Sequence, residues 1–357
     1  MKLKTMPHYE ESMQRIEAWF HNEKLDRAPV QFGVHAPQNI DELCPPKAWG
    51  SLKEKWMDAQ WQAQRAQAIA QNTRTVAETF PIWWPNLGPN VYAAFYRGEI
   101  TFGESTSWIN HPAKCLEDIL CYQLDMQNPY IQAIDDMTRT ALEYCRDSFI
   151  VGYTDLHPGF DCLADWRDPQ ELCMDLYDDP DAIPAAAAKT SADFEKIFGH
   201  FHETLVKAGQ PSFTWMRIPV NGKMHVPSCD FSALISTEIF DEYCLPLLKK
   251  EMAYTTHNVY HLDGKDALRH LPTLLAQPEI HAIQWQQGTG SWEEIMQWVP
   301  VIRKIQDAGK GVLVHLKVKE LKDFMAAVPR QGIFLGVLDS SSPEEEDELM
   351  RMIEAWR

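Results

Sequence analysis

From about residue 149 onward the chain repeats one unit, a short apolar run followed by an amphipathic helical stretch. The runs cover 149–153, 213–218, 224–226, 259–262, 282–285, 311–316 and 333–338, and stretches with a helical apolar period fill 181–208, 236–256, 292–308, 318–328 and 343–356. Runs that are apolar throughout belong to strands covered on both faces, and strand-then-helix repetition lays successive strands in parallel. The pattern predicts an α/β fold, a (β/α)8 TIM barrel, with a doubly wound open sheet as the alternative. The last helix announces its own start: Ser342 stands at the N-cap, Pro343 at the first helical position and Glu345 where a capping box needs it.

Ahead of this alternation, 9–22, 52–77, 116–124 and 130–145 read as helices, and 30–34 supplies an early strand. A Pro-studded loop begins at Phe80 and carries Trp83 and Trp84. No repeat and no Gly/Ser-rich linker divides the sequence. The expected organisation is one barrel domain over 1–357, with 1–25 and parts of 50–145 as helical additions.

Charge narrows the partners. With 33 Lys+Arg against 51 Asp+Glu the chain carries −18 at pH 7, which repels a phosphate backbone, so nucleic acid is not an expected partner. No apolar stretch approaches the roughly 20 residues of a membrane span. The first helix carries Glu10, Glu11, Arg15 and Glu17, so it is no secretory h-region, and a cytoplasmic location is expected. The eight cysteines form no CxxC pair and read as reduced, mostly buried thiols. Neither a phosphate-binding Gly loop nor a GxSxG, HExxH or dinucleotide fingerprint occurs, and Gln287 to Gly290 is too short to be one.

In a barrel the active site lies at the C-terminal strand ends. The residues that close the apolar runs are Gln31 and His35, Asp155 and His157, Arg217, Cys229 and Asp230, His261 and Asp263, Gln284 and Gln286, His315 and Lys317, and Asp339. Any one of these suits a cap or turn; together they are a dense polar set. Strand alternation puts His261 and Asp263 on one face, where they suit a divalent cation such as zinc, a base with its orienting acid, or a simple hydrogen-bonded turn. Cys229 reads equally as a soft ligand or a small core residue. Asp230, just before apolar Phe231, is a site acid or an N-cap. His157 and His315 read as supporting or core histidines before ligands, and the acidic run 155–181 as a solvated surface. Trp83, Trp84 and Trp285, with the amides Gln284 and Gln286, are flat walls and hydrogen-bonders suited to an organic or macrocyclic ligand. Trp56, Trp61, Trp292 and Trp298 lie at helical spacings and read as core or subunit contact.

The segments Leu25-Asp-Arg-Ala-Pro-Val30, Tyr177-Asp-Asp-Pro180, Cys229-Asp-Phe-Ser-Ala-Leu-Ile-Ser236 with Ile239-Phe240 and Pro246, Tyr260-His-Leu-Asp-Gly264, and Ile283-Gln-Trp-Gln286 together carry a resemblance to the uroporphyrinogen decarboxylase superfamily. In order and spacing they resemble that family over roughly 10–345, nearest its cobamide-dependent methyltransferase or corrinoid-protein-related branch. Two departures matter. The family's Arg-rich motif after the first strand has no counterpart in 31–37, which speaks against a porphyrinogen substrate. The methyltransferase His-x-Cys becomes His261-x-Asp263, and no Cys follows Cys244, so the usual zinc–thiolate set is impossible. The resemblance implies methyl transfer between a small methylated compound and a corrinoid (cobalamin-type) on a partner protein. Zinc would sit on His261 and Asp263 with Cys229 or His315, and Asp230 would assist catalysis. Trp83, Trp84, His157, Trp285 and Gln286 would contact substrate. A metal-free decarboxylase in which Asp230 stabilises a cationic intermediate, and a non-catalytic corrinoid or small-molecule binder, are the alternatives; the sequence leaves the oligomeric state open.

Overall fold

The computed structural model describes residues 2–34, 36–288 and 294–357. Its principal strands are β1 (Val30–Phe32), β2 (Ile82–Trp83), β3 (Ile150–Val151), β4 (Met224–His225), β5 (His257–Asp263), β6 (Ala282–Gln286), β7 (Gly311–Leu316) and β8 (Ile333–Val337). Six form one parallel sheet in the order β1-β8-β7-β6-β5-β4, and β2 and β3 form a parallel pair. Beyond β1 the Glu78 N–H donates to the Val30 carbonyl at 3.0 Å, and beside β3 the Tyr153 N–H donates to the Phe213 carbonyl at 3.0 Å. The Tyr153 hydroxyl reaches the Met224 carbonyl of β4 at 2.7 Å. The architecture is thus α/β, a curled parallel sheet with helices packed around it.

Both faces of the sheet are buried, as uniformly apolar strands require. Alternate residues separate into two cores. Tyr260, Leu262, Ile283, Trp285, Val312, Val314, Leu335 and Val337 pack outward against the helices. Val259, Ala282, Leu313 and Phe334 point to the concave side, with Phe80, Ile150 and Phe213. The helix α1 (Tyr9–Phe20) seals that inner core through Met13, Ile16, Trp19 and Phe20. The Trp19 indole N–H donates to the Gly332 carbonyl at 2.8 Å, and a Cβ at Gly311 would press against the Trp19 ring at 3.0 Å. Past this apolar floor, the same inward parity brings Gln31, His261, Gln284 and His315 toward the strand ends.

An ion cluster locks the entry to β1. Glu78 is fully buried and accepts from Arg27 at 2.8 and 3.0 Å, from Arg15 at 2.9 Å and from the Val30 N–H at 2.8 Å. Asp26, held by Arg15, has its carboxyl pulled down to about 2 by that hydrogen bond.

Several elements differ from the expected ones for local reasons. The helix expected over 52–77 is two, Leu52–Trp56 and Ala59–Asn72, because Asp58 accepts from the Trp61 N–H and N-caps the second. The helix expected over 181–208 breaks between Ile183–Ser191 and Phe194–Lys207, where the Tyr92 hydroxyl takes the Thr190 carbonyl at 2.8 Å. The helix over 236–256 passes through a π turn at Phe240–Cys244, ahead of Pro246, which has no N–H to donate. The apolar run 213–218 is not a strand: Arg217 takes a left-handed φ of +62°, and its N–H closes a turn onto the Thr214 carbonyl. Ser342 does cap the last helix, Pro343–Ala355. The expected start of the 292–308 helix lies outside the described residues, which resume before Ile295–Trp298 and Val299–Asp307. Among the described residues no helix is long and apolar enough to cross a membrane.

Candidate functional site

The end of β5 builds the site. Leu262 points outward into the core, so His261 and Asp263 project together on the inner side, and Gly264 at φ +80° turns the chain away. The His261 N–H donates to the Pro227 carbonyl at 2.9 Å, which brings the segment after β4 alongside. Asp230 opens the turn that follows, Asp230–Leu234. As a result, ligand-type atoms of Asp230, His261 and Asp263 lie within 4.8 Å of one another. Among the described residues the Asp263 Oδ1 atom is buried without a hydrogen-bond partner, an expensive state for a carboxylate oxygen.

Neighbours set the chemistry of these three. The Gln284 side-chain oxygen accepts from His261 Nδ1 at 2.6 Å, which in the neutral ring places the free lone pair on Nε2, the nitrogen a metal would take. The Trp215 ring meets the His261 ring edge-on at 5.1 Å. Asp230 is open to solvent but recessed; desolvation, then Asp161, and further Asp263, push its carboxyl up to about 6, against His261 and His157. One imidazole and two carboxylates suit Zn²⁺ or a similar divalent cation, and the orphaned Asp263 oxygen is the atom such an ion would satisfy.

Gln284 links this cluster to His315, its amide lying 3.5 Å from His315 Nδ1. Burial, then the charges of His261 and Arg217, hold His315 down to about 4, so it is neutral at pH 7. Its ring occupies the space over Gly336, where a Cβ would overlap it. On the other flank His157 sits between Asp155, 2.8 Å from Nε2, and the Ser228 hydroxyl, 2.7 Å from Nδ1. Burial alone would lower His157, but Asp155, Asp161 and Asp230 outweigh it and raise the imidazole to about 10. His157 is therefore a held cation. The Ser228 hydroxyl donates to Asp161 at 2.9 Å, and Asp161 also accepts the Phe231 N–H at 3.0 Å, fixing the turn that carries Asp230.

Comparison with known proteins gives one informative result. No family model matches the chain, and no curated protein matches it. Among solved structures it is similar to a methyltransferase from Methanosarcina mazei, with a TM-score of 0.63 at 11% sequence identity, over 96% of this chain and 98% of that one. At that identity the likeness is one of fold.

Against this geometry some expected site residues stand elsewhere. Trp285 is 1% exposed and packs outward on Trp298 at 4.9 Å; strand alternation turns it away from its neighbours Gln284 and Gln286. It is a core residue, and Trp285→Ala should cost about 3–5 kcal/mol in denaturant unfolding, with zinc uptake by the folded variant unchanged. Cys229 is buried in the outer core, its thiol paired with that of Cys244, and it is not in the Asp230–His261–Asp263 group. His315 is likewise outside that group. Gln286 is half-buried at the rim, where its carbonyl accepts the Gly264 N–H at 2.9 Å. Trp83 and Trp84 line cavities beside the sheet. His35 and Trp292, like Thr289 and Gly290, lie outside the described residues.

Two acids were hidden in the run that reads as solvated surface. Residues 155–181 hold the helices Gly159–Arg167 and Pro169–Asp178. Asp161 and Asp165 face the site from the first, lining a cavity of about 310 Å³ with Asp230 and His157. Burial pushes Asp165 up to about 8 despite the Asn90 amide donating to it at 2.7 Å. Their i, i+4 spacing is the signal that could have found them.

Proposed function

We propose that this chain is a methyl-transferring enzyme, a single (β/α)8 barrel with helical additions at 1–25 and within 50–145, whose strand ends hold zinc on His261, Asp263 and Asp230. The observation that carries the reading is the convergence of those three side chains around a buried carboxylate oxygen that has no hydrogen-bond partner among the described residues. Likeness of fold to a methyltransferase supports the reaction class. The substrates are a small methylated compound and a corrinoid carried by a partner protein. A bound cation would act as the Lewis acid on the heteroatom that loses the methyl group.

The chain's own residues do the rest. Gln284 fixes the His261 tautomer. His157, cationic between Asp155 and Ser228, keeps positive charge beside the acids and favours Asp230 as a carboxylate at neutral pH. Asp165, protonated near pH 7, holds a proton at the cavity wall. The cavity of about 330 Å³ beside the cluster is lined by Gln31, Trp215, Gln284 and His315, flat and amide surfaces that orient a small organic molecule and exclude water.

Two experiments follow. Zinc-loaded protein given cob(I)alamin and a panel of O-, N- and S-methyl compounds should form methylcobalamin with at least one donor and stop on chelation. Absence of transfer across the panel, or transfer indifferent to chelation, contradicts the reading. Zinc affinity should also fall as pH drops through about 6, where Asp230 takes a proton. The sign follows from competition: the ion needs the carboxylate, and the raised pKa brings the competing proton in at a higher pH. Affinity that is flat between pH 7 and 5 removes Asp230 from the ligand set.

A further inference from the structure

Arg217 stands out among the basic residues near the site. It lines the cavity that also holds Trp215, Gln284 and His315, and an adjoining cavity with Trp83, Arg65 and Arg74. Among the described residues, neither cavity has an Asp or Glu in its wall, although the chain carries −18 overall. Arg65 is paired with Asp41 at 2.8 Å, and Arg74 with Asp347. Arg217 has no carboxylate partner among the described residues; its guanidinium lies over the Trp84 ring at 5.5 Å. It is accessible to solvent, yet the surrounding protein withdraws enough water to lower its pKa.

The backbone is arranged to present this side chain. Arg217 holds a left-handed conformation unusual for a residue with a Cβ, and the Gln31 amide pins its carbonyl at 2.7 Å. Two residues earlier in the same turn, Trp215 meets His261. One tight loop therefore supplies a wall of the metal cluster and a cation beside it. A planar guanidinium with its donors open and one face on an indole is suited to bidentate pairing with an oxyanion.

We propose that the small molecule bound at this site carries an oxyanion group, a carboxylate, sulfonate or phosphate, that pairs with Arg217 against the Trp84 ring. The inference deepens the methyl-transfer reading by naming the class of its substrate, but it concerns binding and is tested by binding. Benzoate, benzenesulfonate and phenyl phosphate are titrated calorimetrically against neutral benzamide at constant ionic strength, with zinc content measured on the same samples.

At least one anionic probe should bind about 10–100-fold more tightly than benzamide, the range of a charge-assisted hydrogen-bonded pair, and the ranking of the three identifies the headgroup. R217M and R217Q should erase the preference, R217K should keep part of it, and R74M should leave it intact. Melting curves and R217K guard against a variant that merely unfolds. Failure of all three anions to bind, equal binding of benzamide, or retention of the preference in R217M overturns the inference. Zinc bound without anion preference sinks this inference alone; anion preference without zinc uptake sinks the metal cluster and leaves Arg217's role standing.

Discussion

Replacing His261 by Ala is expected to abolish stoichiometric zinc binding and, with it, methyl transfer, while Cys229→Ala changes neither. His261 supplies the nitrogen of the converging trio, and what remains is Asp230, already near protonation at pH 6, and Asp263. The loss of affinity should exceed the roughly 10–100-fold that removal of an outer partner costs. Gln284→Leu should fall in that smaller range, because it frees the His261 ring without removing it. Cys229 serves as the contrast: it lies in the outer core against Cys244, so its loss affects packing and not the ion. Metal analysis after gel filtration reads all three variants. Full zinc occupancy in His261→Ala would place the ion elsewhere.

Replacing Glu78 by Ala should destabilise the protein by about 3–5 kcal/mol, the cost of breaking a buried ion pair from one side. Glu78 is wholly buried and answers Arg27, Arg15 and the Val30 N–H, so its loss strands the buried Arg27 guanidinium and an amide of β1 together. β1 carries Gln31, which pins the Arg217 loop, so the damage should reach the site as weaker probe binding. Urea unfolding with an unchanged m-value gives the energy. A loss below about 1 kcal/mol, the usual worth of an exposed pair, would mean that the cluster is not a buried lock.

Much of the fold was legible because strands buried on both faces leave uniform apolar runs. β7 spans the expected 311–316, and β5, β6 and β8 depart from their expected bounds by a residue or two. Two places were hard to read: the strand β2 lies in a Pro-rich loop, and the run 213–218, which is not a strand, is apolar because a tight turn buries it. Runs apolar on both faces also conceal which face is inner. The polar residues His261, Asp263, Gln284 and Gln286 mark the inner parity, and that parity alone would have turned Trp285 outward. Asp161 and Asp165 were missed because an acidic run looks solvated until a helix gathers one of its faces into a cavity. The ion lock on Glu78 was invisible for a different reason: Arg15, Arg27 and Glu78 meet only once the chain has closed.

The most direct test of the metal centre is zinc K-edge absorption fine structure on the purified, zinc-loaded protein. A shell of nitrogen and oxygen alone at about 2.0–2.1 Å, with imidazole scattering that disappears in His261→Ala, is the expected result. A sulfur shell at about 2.3 Å, or zinc that leaves with gel filtration, would contradict a centre built from His261, Asp263 and Asp230.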